Sequence, residues 1–361
     1  MHDRPILIMA GGTGGHVFPA LAIADYIRQK GIPLFWLGTK KGLEARIVPE
    51  KGYQLLTITI SGLRGKGLFK WIQAPILITV ALLQAIIILV RLRPAVVLGM
   101  GGFVSGPGGL AAWLMRIPLC IHEQNAIAGL TNRLLAPLAH SVLEAFPNTF
   151  PKKFLANVTG NPVRSEICNI TVPEKRIRTD DDLPMRLLVL GGSQGARKLN
   201  QVIPQMLMEL NSSVRLEVRH QTGAQHFAEA ETAYRSLNIN VKLEAFIENM
   251  AEAYAWADIV ICRSGALTIA ELAAAGVASI LVPFPYAVDD HQTANARFLV
   301  DAEAAILIRE SDLNSDSLGR LLNDLYSTRQ RLLIMAKNAR QLARTEATKD
   351  VAETCLEVAY A

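Results

Sequence analysis

Along the chain, short apolar runs alternate with longer segments in which apolar residues recur every three or four positions. Residues 6–10 form one such run. It enters Gly-Gly-Thr-Gly-Gly-His (11–16), after which Ala20, Leu21, Ile23, Ala24 and Ile27 keep helical spacing as far as Gly31. The pattern predicts a strand, a Gly-rich turn and a helix. Further strands are predicted at 34–37, 55–60, 95–98, 119–122 and 141–145, with helical stretches between them, as in a parallel α/β sheet. At 186–190 the pattern restarts: the run enters Gly-Gly-Ser-Gln-Gly-Ala (191–196), then Leu199, Val202, Ile203, Met206 and Leu207 at helical spacing. Strands predicted at 215–219, 241–245, 259–262, 279–282 and 304–308 complete a second unit. The fold class is therefore α/β, with two Rossmann-like doubly wound domains, 1–163 and 164–345, expected to face one another across a cleft. The Pro-bearing, charged stretch 160–184 reads as the linker between them.

One segment departs from this rhythm. Residues 71–90, between Lys70 and Arg91, are uncharged and mostly apolar, long enough to cross a bilayer. Pro75 and Gln84 interrupt the run, and Gln73, Gln84 and Arg91 fall near one helical face. A single crossing would also split the first sheet between two compartments. A helix packed on the sheet or lying on a membrane surface is expected instead.

Composition narrows the classes. Half the residues are apolar and 19% are charged, so a fully folded globular chain is expected. Residues 1–163 carry 16 Lys and Arg against 6 Asp and Glu, whereas 164–361 carry 21 against 26. The basic half suits nucleic acid, an anionic membrane or a phosphorylated substrate. No aromatic-interleaved basic run or zinc-finger spacing favours nucleic acid, and none is expected as a partner. Cys120, Cys168, Cys262 and Cys355 form no paired motif, which fits a reducing compartment. The apolar run before Gly11 is too short for a signal-peptide core, so secretion is not expected.

A Gly-rich turn opening a helix presents backbone N–H groups and a positive helix end to phosphate, so both Gly loops are candidate phosphate sites. Neither is a dinucleotide fingerprint: Val17 stands where a third Gly would be, and the second strand ends without an acidic ribose ligand. A third Gly-rich stretch, 99–109, lacks a Walker lysine and is either close packing or a second anion nest. In the second half, Arg263-Ser264-Gly265-Ala266-Leu267-Thr268-Ile269-Ala270-Glu271 follows a strand. Glu271 there can accept ribose hydroxyls, or be a solvated helix residue. His16 could serve as a base, or merely cap its helix. His122-Glu123-Gln124-Asn125 and Asp289-Asp290-His291-Gln292 are polar clusters closing apolar strands. Asp180-Asp181-Asp182 contains a metal-binding pattern but reads as a solvated charge run, and no metal or cofactor is expected.

Taken in order, Gly-Gly-Thr-Gly-Gly-His (11–16), Ile-Ser-Gly-Leu-Arg-Gly-Lys-Gly (60–67), the 99–109 stretch, His-Glu-Gln-Asn (122–125), Gly-Asn-Pro-Val-Arg (160–164), Gly-Gly-Ser-Gln-Gly-Ala (191–196) and Arg-Ser-Gly-Ala-Leu-Thr (263–268) closely resemble the MurG family of bacterial N-acetylglucosamine transferases. The resemblance implies a GT-B fold and inverting transfer from UDP-GlcNAc to the C4 hydroxyl of the muramyl sugar of lipid I, giving lipid II for peptidoglycan. It places Thr13, Gly14, Gly15 and Asn125 on the acceptor side. Arg164, Ser193, Ile247, Ala266, Leu267, Thr268, Ile269, Ala270, Glu271 and Gln292 surround the donor. Ile247 would meet uracil through its backbone, Glu271 the ribose, Ser193 the phosphates and Gln292 the sugar. His16 is expected to be the base or to position it, with Asn125 and Glu123 as neighbours, and helix ends take the place of a metal. A terminal helix, about 346–361, is implied to pack back on the first domain. Implied too is a peripheral position on the cytoplasmic face of the inner membrane, with anionic lipids and other cell-wall synthesis proteins as partners. A UDP-GlcNAc 2-epimerase and a sugar-nucleotide-binding subunit without turnover are the alternative readings.

Overall fold

The computed structural model describes residues 4–60, 68–180, 183–192, 195–211, 213–237 and 239–360, without the side chains of 68–73 and 288. The chain forms two compact units, Met1–Val163 with Thr345–Ala361, and Arg164–Arg344.

In the first unit, β1 (Ile6–Met9), β2 (Leu34–Gly38), β3 (Gln54–Thr57), β4 (Val96–Gly99), β5 (Leu119–Glu123), β6 (Ser141–Glu144) and β7 (Asn157–Val158) form one parallel sheet in the order β3-β2-β1-β4-β5-β6-β7. β1 and the central β4 are wholly buried, as strands covered on both faces must be. The short edge strand β7 was not predicted; two residues carry no periodicity to read. Helix α1 (Gly14–Gln29) follows β1 and buries Val17, Ala20, Leu21, Ile23, Ala24 and Ile27, one i, i+3, i+4 stripe. Next comes α2 (Leu43–Glu50), between β2 and β3. The C-terminal helix Ala347–Tyr360 closes the same core through Val351, Ala352 and Cys355, and Glu353 accepts a bond from Tyr26 Oη (2.7 Å) beside Lys30.

The long apolar segment is α3 (Leu68–Leu92), the crossover from β3 to β4. Ala74–Leu92 is long and apolar enough to span a bilayer, with a mean hydropathy of 2.4 and only 17% buried. Both strands flanking it belong to one hydrogen-bonded sheet, so a single crossing would tear that sheet apart. α3 instead lies along α4 (Gly102–Leu114). Its inward stripe is Ala74, Ala81, Ala85 and Leu89, while Ile76, Ile78, Val80, Leu83, Ile87 and Val90 face out. Gln84 does not belong to an outward polar stripe. It sits on the protein side, where its Oε1 accepts from Thr59 N (2.6 Å) and its Nε2 donates to Thr59 Oγ1 (3.2 Å).

The second unit is a parallel sheet in the order β10-β9-β8-β11-β12-β13, built from β8 (Met185–Leu190), β9 (Leu216–Gln221), β10 (Lys242–Glu244), β11 (Ile259–Cys262), β12 (Ala278–Leu281) and β13 (Ala305–Leu307). Sequence reading places β11 as observed and misses ends of the other strands by one or two residues, where pairing partners rather than apolar runs decide the boundary. The stretch 160–184 is not a bare linker in its described part. Ser165–Cys168 and Pro173–Arg176 are helical turns, and Ile167, Ile170, Pro173 and Ile177 are buried. Arg176 ties it down by donating to Ala257 O (3.1 Å) and Ala275 O (2.8 Å). Small apolar residues between charges let a linker-like composition pack.

Candidate functional site

In the first unit the polar residues gather at the carboxyl ends of β1, β4 and β5. α1 starts at Gly14 with Thr13 as N-cap, no side-chain cap and no acidic residue in its first turn, so its positive end is open to an anion. Thr13 and Gly15 are exposed, and Gly14 and His16 half-buried. The start of α4 lies beside it: Gly102, at φ +76°, approaches so closely that a Cβ there would sit 2.7 Å from Gly11 O. Any larger residue would push the two loops apart.

The turn at Gly11 holds a residue that sequence reading missed. Glu44, fully buried in the first turn of α2, accepts from Gly12 N (3.0 Å), Thr39 N (2.9 Å) and Thr39 Oγ1 (2.8 Å). A carboxylate thus occupies the amide that a dinucleotide fold offers to phosphate. The only signal for it was an acidic residue at a helix start just after the second strand.

His122, Glu123, Gln124 and Asn125 close β5. Glu123, expected beside His16, is turned the other way. Its Oε1 accepts from Asn125 N (3.0 Å) and Asn125 Nδ2 (3.1 Å), and its Oε2 from Gly129 N (3.0 Å) and Asn132 Nδ2 (2.9 Å). With two bonds to each oxygen and 2% exposure, Glu123 braces the 125–129 turn that carries Asn125. His16 instead meets Gln124, with Nδ1 2.8 Å from Oε1. Gln124 Nε2 reaches His122 Nδ1 (3.0 Å), and His122 Nε2 reaches Gly160 O (2.9 Å). Burial pushes the His122 imidazole down to about 4, and the Gly160 bond offsets this only in part.

In the second unit, Gly191 and Gly195 allow a tight turn into the Arg197–Glu209 helix. Gly195 has φ +79°, and a Cβ there would lie 2.5 Å from Thr222 O. Ser193 lies outside the described residues, as do 61–67 of the 60–67 motif and Asp181 and Asp182. Among the described residues, no group of three or more His, Cys, Asp or Glu is gathered as a metal site would need.

The Ala266–Ala275 helix begins behind Gly265 with no side-chain cap and no acidic residue in its first turn. Leu267, Thr268 and Ala270 are half-buried, Ala266 is nearly buried and Ile269 is a core residue, so Ile269 could meet a ligand only through its backbone. The same holds for Ile247, at 3% exposure. Glu271 is not a solvated helix residue. It is buried, with Oε1 3.1 Å from Arg164 Nη2 and Oε2 accepting from Tyr254 Oη (3.1 Å). Burial raises its pKa, opposed by Arg164 and by the two hydrogen bonds. Tyr254 went unrecognised in the sequence, where it reads as one more core aromatic. Gln292 Oε1 accepts from Phe284 N (2.9 Å), holding the loop after β12, and Asp289 and Asp290 take left-handed φ of 52° and 50°.

With this geometry in place, comparison with known proteins is informative. Residues 6–144 match the Glycosyltransferase family 28 N-terminal domain, and residues 186–355 the Glycosyltransferase family 28 C-terminal domain. The chain is 54% identical over 354 residues to a UDP-N-acetylglucosamine–N-acetylmuramyl-(pentapeptide) pyrophosphoryl-undecaprenol N-acetylglucosamine transferase of Nitrosococcus oceani, covering 98% of each protein. The crystal structure of Acinetobacter baumannii MurG matches with a TM-score of 0.87 at 41% identity, over 98% of this chain and all of that one. A UDP-GlcNAc 2-epimerase from Neisseria meningitidis, bound to UDP-GlcNAc, reaches 0.66 at 13% identity over 98% of this chain and 100% of its own, a likeness of fold alone.

Proposed function

Because the chain belongs to glycosyltransferase family 28, within its MurG group, we propose that it transfers N-acetylglucosamine from UDP-GlcNAc to the C4 hydroxyl of the muramyl sugar of lipid I, forming lipid II for peptidoglycan. The observation that carries this reading is identity over the full length to a named transferase, at 54%. The fold likeness to an epimerase, at 13%, supports no such transfer of function.

The reaction is a single displacement with inversion. The acceptor hydroxyl attacks C1 of the α-linked sugar, its proton passes to a base, and UDP leaves with the negative charge of the broken bond. The open positive ends of the Ala266–Ala275 helix and of the helix after the Gly191 turn are suited to that diphosphate. Glu271, held between Tyr254 and Arg164, has lone pairs left for the two ribose hydroxyls. The Arg164 side chain, half in solvent, is placed to meet the donor's charge. Ile247 offers backbone to uracil, Ser193 a hydroxyl to phosphate and Gln292 an amide to the sugar. On the acceptor side Thr13, Gly14 and Gly15 receive the lipid-linked diphosphate, Asn125 the muramyl sugar, and His16 takes the proton.

The enzyme works as a peripheral protein on the cytoplasmic face of the inner membrane. What supports this is the inverted polarity of α3, which turns its small residues and Gln84 inward and a row of Ile, Leu and Val outward. A water-facing helix shows the opposite. Exposed Trp113 and Leu114 at the end of α4 extend the apolar face, and exposed Arg91, Arg93 and Arg116 suit anionic headgroups. Other cell-wall synthesis proteins are the natural neighbours of such an enzyme.

The test is incubation with labelled UDP-GlcNAc, with and without lipid I in vesicles. Label entering the lipid fraction only when lipid I is present is the expected result. Epimerised sugar, or unchanged donor, would overturn the reading.

A further inference from the structure

Behind His16 runs a chain of hydrogen bonds whose direction can be worked out from its buried end. The Gly160 carbonyl can only accept, so His122 Nε2, 2.9 Å away, carries a proton. His122 has no exposed surface, and burial pushes it down to about 4, so its ring is neutral and Nδ1 is bare. The group facing Nδ1 must then be a donor, which makes it the amide nitrogen of Gln124. That nitrogen also reaches His122 O at 3.1 Å, so both its protons are spent on His122. The Gln124 carbonyl oxygen is left facing His16 Nδ1 at 2.8 Å, where only an N–H can donate to it.

We propose that Gln124 is a positioning residue for the transfer, one that fixes the proton of His16 on Nδ1 and keeps Nε2 as the ring's proton acceptor. The proposal rests on reading His16 as the base. On proton transfer from the acceptor hydroxyl, Nε2 gains the proton, the hydroxyl oxygen forms its bond to C1 as the C1–O bond to the diphosphate breaks and UDP leaves with that electron pair, and Nδ1–H stays on the Gln124 carbonyl. No further proton moves along the chain, because His122 is already committed to Gly160. An amide also fixes the tautomer without placing a charge behind the ring.

Among the described residues, the ionisable groups placed against this chain are His122 and Glu123 on β5 and Glu44 on α2. Both carboxylates are engaged elsewhere, Glu123 on the 125–129 turn and Asn132, Glu44 at Gly12 and Thr39. On the remaining side the ring packs on glycine: a Cβ added at Gly101 would lie 3.2 Å from Cε1 of His16. Gln124 is therefore the residue that selects the tautomer.

The experiment pairs a spectroscopic readout with kinetics, both on the full chain. Histidine-labelled ¹⁵N protein, with His16 assigned by the loss of its signals in His16→Gln, should show a protonated Nδ1 and a bare Nε2 at neutral pH. A bare Nδ1 in the native protein would overturn the proposal whatever the activity. Gln124→Leu should lose the tautomer preference and lower kcat about tenfold or more with the KM for UDP-GlcNAc unchanged. Gln124→Glu keeps an acceptor oxygen at His16 Nδ1 and, protonated on the oxygen that faces the bare His122 Nδ1, still donates there; it should retain the tautomer and most of the kcat that Gln124→Leu loses. Full kcat in Gln124→Leu alongside an inactive His16→Ala would refute the positioning role. An active His16→Ala would refute the reading of His16 as base, while the ¹⁵N shifts would still report the tautomer.

Discussion

Replacing Glu271 with Gln separates donor binding from folding. In the wild type the buried carboxylate is held by Arg164 Nη2 and Tyr254 Oη, both at 3.1 Å, leaving lone pairs for two ribose hydroxyls. Hydrogen bonds to a charged acceptor are worth roughly 1.5–3 kcal/mol against about 0.5–1.5 kcal/mol for neutral ones, and the amide presents an NH₂ where one acceptor is needed. The loss comes to about 2–3 kcal/mol, roughly a 30- to 150-fold rise in the KM for UDP-GlcNAc. Because the ribose is remote from C1, kcat should change little. Stability should move by less than about 1 kcal/mol, since the amide has no charge to desolvate and Arg164, 51% exposed, can hydrate. Steady-state kinetics against UDP-GlcNAc, with thermal unfolding in parallel, reads both quantities. The pH dependence adds a second check with a definite sign. Burial raises the pKa of Glu271, so as pH falls through that raised value the wild type gains a proton and its donor KM climbs. The Gln variant should start high and lack that limb. A variant KM within threefold of wild type, or an acid limb shared by both proteins, would refute the ribose assignment.

Three further outcomes follow from other parts of the molecule. Leu83→Glu combined with Ile87→Glu, both exposed on α3, should weaken binding to anionic vesicles roughly a hundredfold, from about 1.5 kcal/mol per lost side chain, with the melting temperature unchanged in flotation and calorimetry. Gly102→Ala must hold φ +76° with a Cβ 2.7 Å from Gly11 O, so it should lose about 1–3 kcal/mol in urea unfolding and most of its transferase activity. His220 is buried between Tyr234 Oη (2.7 Å) and Asn200 Oδ1 (3.0 Å), and burial pushes it down from 6.5 to about 3. Below 6.5 the unfolded chain takes up a proton that the folded protein refuses. Stability contributed by this group is therefore full above that pH and lost as pH falls, by about 1 kcal/mol between pH 7.5 and 5.5 in urea titrations.

The repeated strand–turn–helix pattern was legible because each unit buries its strands on both faces and writes them as unbroken apolar runs. Its sites were legible as places, at the carboxyl ends of those runs, but less so as partnerships. Glu123 looked like the neighbour of His16 because it stands next to His122 in sequence; in a strand, adjacent side chains point to opposite faces, and Glu123 went to the 125–129 turn while Gln124 went to His16. Glu44 and Tyr254 were missed for a related reason, since each acts on a loop or carboxylate distant in the chain. α3 misled in the opposite direction. Gln73, Gln84 and Arg91 suggested one polar face, yet Gln84 is satisfied by Thr59, which only the tertiary placement of the 57–60 segment could reveal.

The two Gly-rich turns show how one local pattern acquires two chemistries. At Gly191 two of the described loop amides meet uncharged backbone partners, Gly191 N on Gln221 O and Gly195 N on Gly192 O, and the first turn of the following helix holds no acidic residue. At Gly11 the chain supplies its own anion, because Glu44 binds Gly12 N from beneath the turn. A second anion pressed into that turn would meet a carboxylate, which is why the proposed reading seats the acceptor's charge further forward, at Thr13, Gly14 and Gly15 on the uncapped end of α1. His16 stands in the same first turn of that helix. On that reading Glu44, by filling the deep position, sets where along α1 the acceptor's charge can rest, and Glu44→Gln should weaken that bias by removing the charge from behind Gly12 N.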